Sequence, residues 1–194
     1  MKEAAPLPPG LAQKSAEPGV SRKKIHRRTI VIDGYRRSDG LWDIEGEIQD
    51  VKAVDHVLKT HVHPAHTPIH SMKLRITVDD TLTIRAAEAV TLAAPYNPDC
   101  GSVAPVYAGL VGLRIQAGFR GELAKVVGGA RGCTHITELV GNLATVAVQT
   151  TAGLLPAKET DKPLQLGACH AYRDSGTLVR EHFPKWYRAP ETKE

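Results

Sequence analysis

IHSMKLRITVDDTLTIRAAEAV (69–90) decides the fold. Met72, Leu74, Ile76 and Val78 alternate with Ser71, Lys73, Arg75 and Thr77, the period of two that a strand with one buried face produces. Asp79-Asp80 is a turn signal, and Leu82 to Val90 reads as the returning strand of a hairpin. His70 shares the parity of Met72 and Leu74, so its imidazole is expected on the covered face of the sheet rather than in water.

Upstream, a second hairpin is expected. Thr29-Ile30-Val31-Ile32 is β-branched, Asp39-Gly40 is a two-residue hairpin signal, and Leu41 to Ile48 alternates Asp43, Glu45 and Glu47 against Trp42, Ile44 and Ile48. Val51 to Thr67 between the hairpins is polar, with Pro64 near its end, and reads as an irregular connection. It carries His56, His61, His63 and His66, without the fixed ligand spacing on a helical frame that marks a zinc motif, and is expected to cover a pocket.

After Pro95 the pattern becomes helical. Ser102 can cap a helix that tolerates Pro105 and whose apolar side is Val106, Leu110 and Val111. A second helix is expected over 120–127. The glycines at 128, 129 and 132 then turn the chain into the longest one, from Cys133 to about Thr151, with Ile136, Leu139, Val140, Leu143, Ala147 and Val148 on one stripe. From Lys158 an extended arm is expected, with a last hairpin near Thr177 to Arg180. The fold class is therefore α+β: an antiparallel sheet of two hairpins packed by three helices of the carboxy-terminal half.

With 194 residues and 42% apolar content, one substantial core is affordable and two are not. One domain is expected over 22–190. Residues 1–21, with Pro6, Pro8, Pro9 and Pro18 and no apolar period, are expected to form a disordered tail. No run approaches the ~20 apolar residues of a membrane span, and the amino terminus lacks the order of a signal peptide, so the expectation is cytoplasmic. The formal charge of +4 is concentrated in Arg22, Lys23, Lys24, Arg27 and Arg28, without the interleaved aromatics of a base-stacking surface. Nucleic-acid binding is not expected. An open edge of the first hairpin suits a homodimer.

Cys100, Cys133 and Cys169 are odd in number and widely spaced, which argues for reduced thiols rather than a disulfide framework. Cys100 and Cys133 fall at expected helix starts, where unpaired N–H groups favour a thiolate as nucleophile or metal ligand. His135 follows Cys133, and Glu138 lies one turn on, where a carboxylate can fix an imidazole tautomer. Walker, GxGxxG, GxSxG and HExxH patterns are absent. What remains is soft-ligand metal binding, thiol chemistry or His/Glu acid–base work. The expected metal ligands are His70, Cys100, Cys133 and His135; the expected catalytic groups are Cys133, His135 and Glu138.

RTIVIDGYRRSDGLWDIEGEIQD (28–50), IHSMKLRITVDD (69–80), PYNPDC (95–100), GCTHITELVGNLATVAVQT (132–150), CHAYRDSG (169–176) and PKWY (184–187) resemble an uncharacterised bacterial family, domain of unknown function 2889. That resemblance covers roughly 22–190 and implies domain limits but no reaction. A second one is to the NifU-type iron–sulfur cluster scaffold, through the MKLRITVDD strand followed by a mid-chain and a late cysteine. It implies ligands at His70, Cys100 and Cys133, with His135 nearby. It departs from that pattern in having no cysteine near Pro68 and a longer stretch between Met72 and Cys100. The resulting expectation is a small enzyme with a zinc- or iron-bearing or thiol-centred site, acting on a small organic substrate as a hydrolase or lyase. Its rival is a non-catalytic carrier of metal or an iron–sulfur cluster.

Overall fold

The computed structural model describes residues 19–155, 162–163 and 165–190. The tail expected over 1–21 lies almost wholly outside the described residues. Four antiparallel strands, β1 (His26–Arg36), β2 (Trp42–Lys52), β5 (Pro68–Val78) and β6 (Ile84–Ala93), form one sheet in the order β1-β2-β5-β6. Between β2 and β5 stands a separate two-stranded ribbon, β3 (His56–Val57) with β4 (Val62–His63). That ribbon corrects the expected irregular connection: the two-residue strands are too short to leave a readable period.

The sheet has one covered face. Trp42, Ile44, Ile48, Met72, Leu74, Ile76, Val78 and Ile84 are all buried on it, as the alternation requires. The opposite face carries Glu45, Glu47, Lys73, Arg75 and Glu88, with cross-strand ion pairs Lys73–Glu47, Arg75–Glu45 and Arg75–Glu88. Exposed pairs of this kind contribute little to stability each, about 0 to 1 kcal/mol.

The helices are α1 (Asp99–Ser102), α2 (Phe119–Val127), α3 (Thr134–Thr151) and α4 (Thr177–His182). The long α3 crosses β1, β2 and β5, burying Ile136, Leu139, Val140, Leu143 and Ala147. It lies close because two strand positions lack a side chain. A Cβ at Gly46 would stand 2.5 Å from Leu143 Cδ1, and one at Gly34 would run into Thr150. The helix expected after Ser102 is instead the single turn α1 and a 3-10 segment, Ala104–Leu110. Its buried residues are Tyr107 and Leu110, whereas Val106 and Val111 are exposed. Residues three apart eclipse on a 3-10 helix, which moves the inward side from the α-helical stripe to this pair. The last hairpin expected near Thr177 is also corrected, since that segment is α4.

Candidate metal centre

One rung of the sheet ladder carries the site. Arg28 pairs with Asp50 across β1 and β2, and Asp50 with His70 across β2 and β5, so the three stand side by side. A register shift between Asp50 and Val51 interrupts the regular pairing here. Such bulges re-aim side chains at strand ends. The parity that buries Ile44 and Ile48 also turns Asp50 inward, where it is 1% exposed.

A buried carboxylate needs partners for all its lone pairs. Arg28 supplies a two-pronged contact: Nε donates to Oδ1 at 2.8 Å and Nη2 to Oδ2 at 2.8 Å. His26 Nε2 stands 3.1 Å from Oδ1. Arg28 also donates through Nη1 to Glu138, tying α3 to β1. Burial pushes the Asp50 carboxyl up, but Arg28, His26 and His70 together outweigh it and hold the group below the usual carboxylate range. It is an anion at neutral pH.

Two imidazoles converge on the other oxygen. His70 Nδ1 lies 3.3 Å and His135 Nε2 3.5 Å from Asp50 Oδ2, and the two rings stack at 3.8 Å. Donor atoms of Asp50, His70 and His135 all fall within 4.8 Å of one another, a potential metal-binding triad. With bonds of about 2.0 to 2.1 Å, neighbouring ligand atoms of a tetrahedral ion stand about 3.3 Å apart, so two edges of that polyhedron are already near length, while the stacked rings must splay by about 1 Å to share the ion. His70 Nδ1 is buried without a hydrogen-bond partner. Burial first, then the His135 ring, pushes the His70 pKa down to about 4, so its imidazole is neutral at pH 7, the form that binds metal.

His135 is placed by the start of α3. Cys133 is the residue before the helix, and its backbone is clamped by the Tyr107 hydroxyl, which accepts from the Cys133 N–H and donates to its carbonyl, each at 2.9 Å. Thr137 Oγ1 joins this hydroxyl at 2.7 Å. The Cys133 sulfur sits 3.8 Å from His135 Nδ1. Burial raises the thiol pKa, but His135 and the backbone N–H groups of Ile136 and His135 outweigh it, leaving the thiol below its ordinary value. Nδ1 and Nε2 occupy opposite edges of the ring, so the sulfur supports His135 from behind rather than sharing an ion with Nε2.

Of the residues expected from sequence, His70, Cys133, His135 and Glu138 gather here, Glu138 through Arg28. Cys100 does not join the triad: it lies in α1, its carbonyl 3.5 Å from Thr91 Oγ1. The clustered donor set has Asp50 rather than a cysteine beside the two imidazoles, because the strand brings its Oδ2 alongside both rings while neither sulfur joins the group. Cys169 is exposed, and the His170 ring stands 3.2 Å from Arg173 on the surface. Asp50 and Arg28 were not anticipated. The available signal was the strand period itself, which carried two residues past Ile48 makes Asp50 an inward acid.

No helix among the described residues is long and apolar enough to cross a membrane. No curated protein and no solved structure matches the chain, so the scaffold resemblance gains no support. A family model described as a protein of unknown function (DUF2889) matches residues 26–149, a span holding Arg28, Asp50, His70, Cys133, His135 and Glu138. This chain belongs to the DUF2889 family, and the Asp50, His70 and His135 cluster lies within its shared domain.

Proposed function

We propose that this protein is a metal-dependent enzyme whose divalent ion, zinc or iron, is held by Asp50, His70 and His135. The observation that carries the reading is the convergence of His70 Nδ1 and His135 Nε2 on Asp50 Oδ2, at 3.3 and 3.5 Å, with His70 Nδ1 otherwise unpartnered. Three protein ligands that leave a position open are the pattern of catalytic rather than structural sites; two histidines and one carboxylate suit zinc or ferrous iron. Such an ion supplies Lewis acidity and lowers the pKa of bound water. Arg28 fixes the carboxylate, Cys133 orients His135, and Glu138 is the candidate proton carrier at the rim, 44% exposed in its side chain. The substrate class is a small organic molecule, and the reaction hydrolytic or eliminative.

Against the carrier alternative stands the placing of the ligands on two strands and near a helix start, with Asp50 buried and both imidazoles partly covered, where a delivery protein would present them on an exposed, mobile loop. A second reading, a thiol nucleophile, is favoured by one observation: Cys133, His135 and Asp50 stand in line at 3.8 and 3.5 Å, the order nucleophile, base, orienting acid.

Elemental analysis of the purified protein, with absorption spectroscopy after cobalt substitution, separates these readings. The metal reading predicts one ion per chain, tetrahedral or five-coordinate cobalt bands, and loss of both in His70→Ala and His135→Ala but not in Cys133→Ser. A metal-free protein that takes up no cobalt refutes it. Stoichiometric alkylation of Cys133 that slows on His135→Ala in metal-free protein favours the thiol.

A further inference from the structure

The ribbon between β2 and β5 holds histidines that the Asp50 centre does not use. Leu58 N–H donates to the His61 carbonyl at 2.9 Å, closing a two-residue turn at Lys59-Thr60. Below it His56 pairs with His63, and Val57 with Val62. Residues opposed on a ribbon share a face, with Cβ atoms about 4.5 to 5.5 Å apart. The apolar pair takes the other side and points to solvent, Val57 77% and Val62 55% exposed. His61 joins the histidine side, its ring 6.3 Å from that of His63. A tight turn, not a loop, therefore brings three imidazoles to one face.

The tautomer of His63 follows from its neighbour. Thr67 Oγ1 donates its single hydrogen to the Pro64 carbonyl at 2.8 Å, so toward His63 Nε2, at 2.9 Å, it can only accept. His63 then carries its proton on Nε2, and Nδ1 keeps the lone pair. A hydroxyl or carboxylate fixing one ring nitrogen so that the other can bind is the supporting arrangement of metal-ligating histidines. His61 Nδ1 has a hydroxyl partner too, Thr60 Oγ1 at 2.9 Å, which leaves Nε2 free. Two imidazoles on one tetrahedral ion hold their centroids about 5 Å apart, so 6.3 Å needs a closure of about 1 Å by exposed side chains.

From this geometry we propose a second cation site, on the ribbon, formed by His63 and His61 with His56 across the strand pair. Its ligand is a borderline transition-metal ion of the kind imidazole prefers: copper(II), nickel or zinc. The site is shallow, carries no carboxylate in its ligand set and exchanges with solvent, unlike the triad. It stands on residue chemistry independent of Asp50.

The test is equilibrium dialysis of the untagged full chain against nickel chloride, comparing wild type with His61→Ala/His63→Ala and with the exposed control His170→Ala. The ribbon variant should bind one equivalent fewer than wild type, and the control the same as wild type. In wild type the His61 and His63 imidazole resonances should broaden on addition of substoichiometric nickel, a readout that needs no variant. Equal stoichiometry in all three proteins, with those resonances unmoved, overturns the proposal. The triad is read separately: an equivalent that persists in the ribbon variant and is lost in His135→Ala belongs to it, while a ribbon variant retaining none leaves the ribbon site standing and refutes the triad.

Discussion

Asp50→Asn tests the reading of the site most sharply, because the substitution keeps shape and removes charge. In the metal-free protein the asparagine can still accept from Arg28 through its oxygen. Its amide then meets the second Arg28 prong, at present 2.8 Å from Oδ2, donor against donor. Breaking a fully buried ion pair costs about 3 to 5 kcal/mol. Arg28 is 32% exposed and keeps Glu138, so the loss should fall below that range, at about 2 to 3 kcal/mol. For a chain of this size each kcal/mol moves the melting temperature about 2 to 4 °C, giving a fall of roughly 4 to 12 °C. A second effect appears with metal: an ion at one hundred times its dissociation constant stabilises wild type by about 2.7 kcal/mol. In Asp50→Asn the triad's share of that increment should vanish, leaving at most what the shallow ribbon histidines contribute. Thermal unfolding with and without zinc, after chelation, measures both. A variant as stable as wild type without metal refutes the buried pair, and one with an undiminished zinc increment refutes the triad.

Tyr107→Phe strands the Cys133 N–H at the entrance of α3, while the Cys133 carbonyl keeps the Thr137 N–H at 2.9 Å, and should cost about 1 to 3 kcal/mol while weakening metal binding through His135. Denaturant melts and cobalt titration should move together; a stable variant with unchanged affinity removes the clamp from the account. Gly46→Ala places a methyl 2.5 Å from Leu143 Cδ1 and 3.0 Å from Leu139 Cδ1, and overpacking should lower stability by about 1 to 3 kcal/mol. A neutral result would mean that α3 does not press on β2. Asp79 accepts from Thr81 and Thr83 N–H groups and from Arg85. Burial pushes its carboxyl up, yet Thr81, Thr83 and Arg85 outweigh it and bring the pKa down to about 2 from 3.8. The folded value is the lower one, so its stabilisation is present above pH 4 and is lost as pH falls from 4 through 2. Discounted for the exposed Arg85, it is about 1 to 2 kcal/mol. Asp79→Asn should lose that amount at pH 7 and show a shallower decline below pH 4 in acid titrations; an acid limb like that of wild type refutes the assignment.

The sheet was legible because period two is a strong signal where one face is covered and the other is charged, as in Met72 to Val78 against Lys73 and Arg75. The stripe of α3 was legible for the same reason, at period 3.6. His70 followed from parity, and the Cys133–His135 pair from its place at a helix start. Asp50 is not legible because the apolar alternation closes at Ile48; the backbone continues to Lys52, and the buried acid is tolerated only because Arg28 lies opposite. Arg28 itself was hidden in a basic run that reads as solvated. Strand parity puts it on the side of Ile30 and Ile32, which pack on the core, and Arg27 on the side of exposed Val31, but the pairing that gives it Asp50 shows only across the sheet. Cys100 shares a helix-start position with Cys133, but its helix is a single turn, too short to aim a side chain at the rung.

That rung also orders the assembly of the centre. Arg28, Asp50 and His70 come from neighbouring strands, the first pair joined by a short turn and the second by the ribbon-bearing connection, and both spans cost less chain entropy to close than the one to α3. His135 arrives across a far longer span, when α3 docks. A cation therefore meets two donors in any partly folded sheet and three only in the finished molecule. On the proposed metal reading, binding would reward the last docking event specifically, so metal supply during synthesis would act as a selective clamp on the native helix position rather than as general ballast.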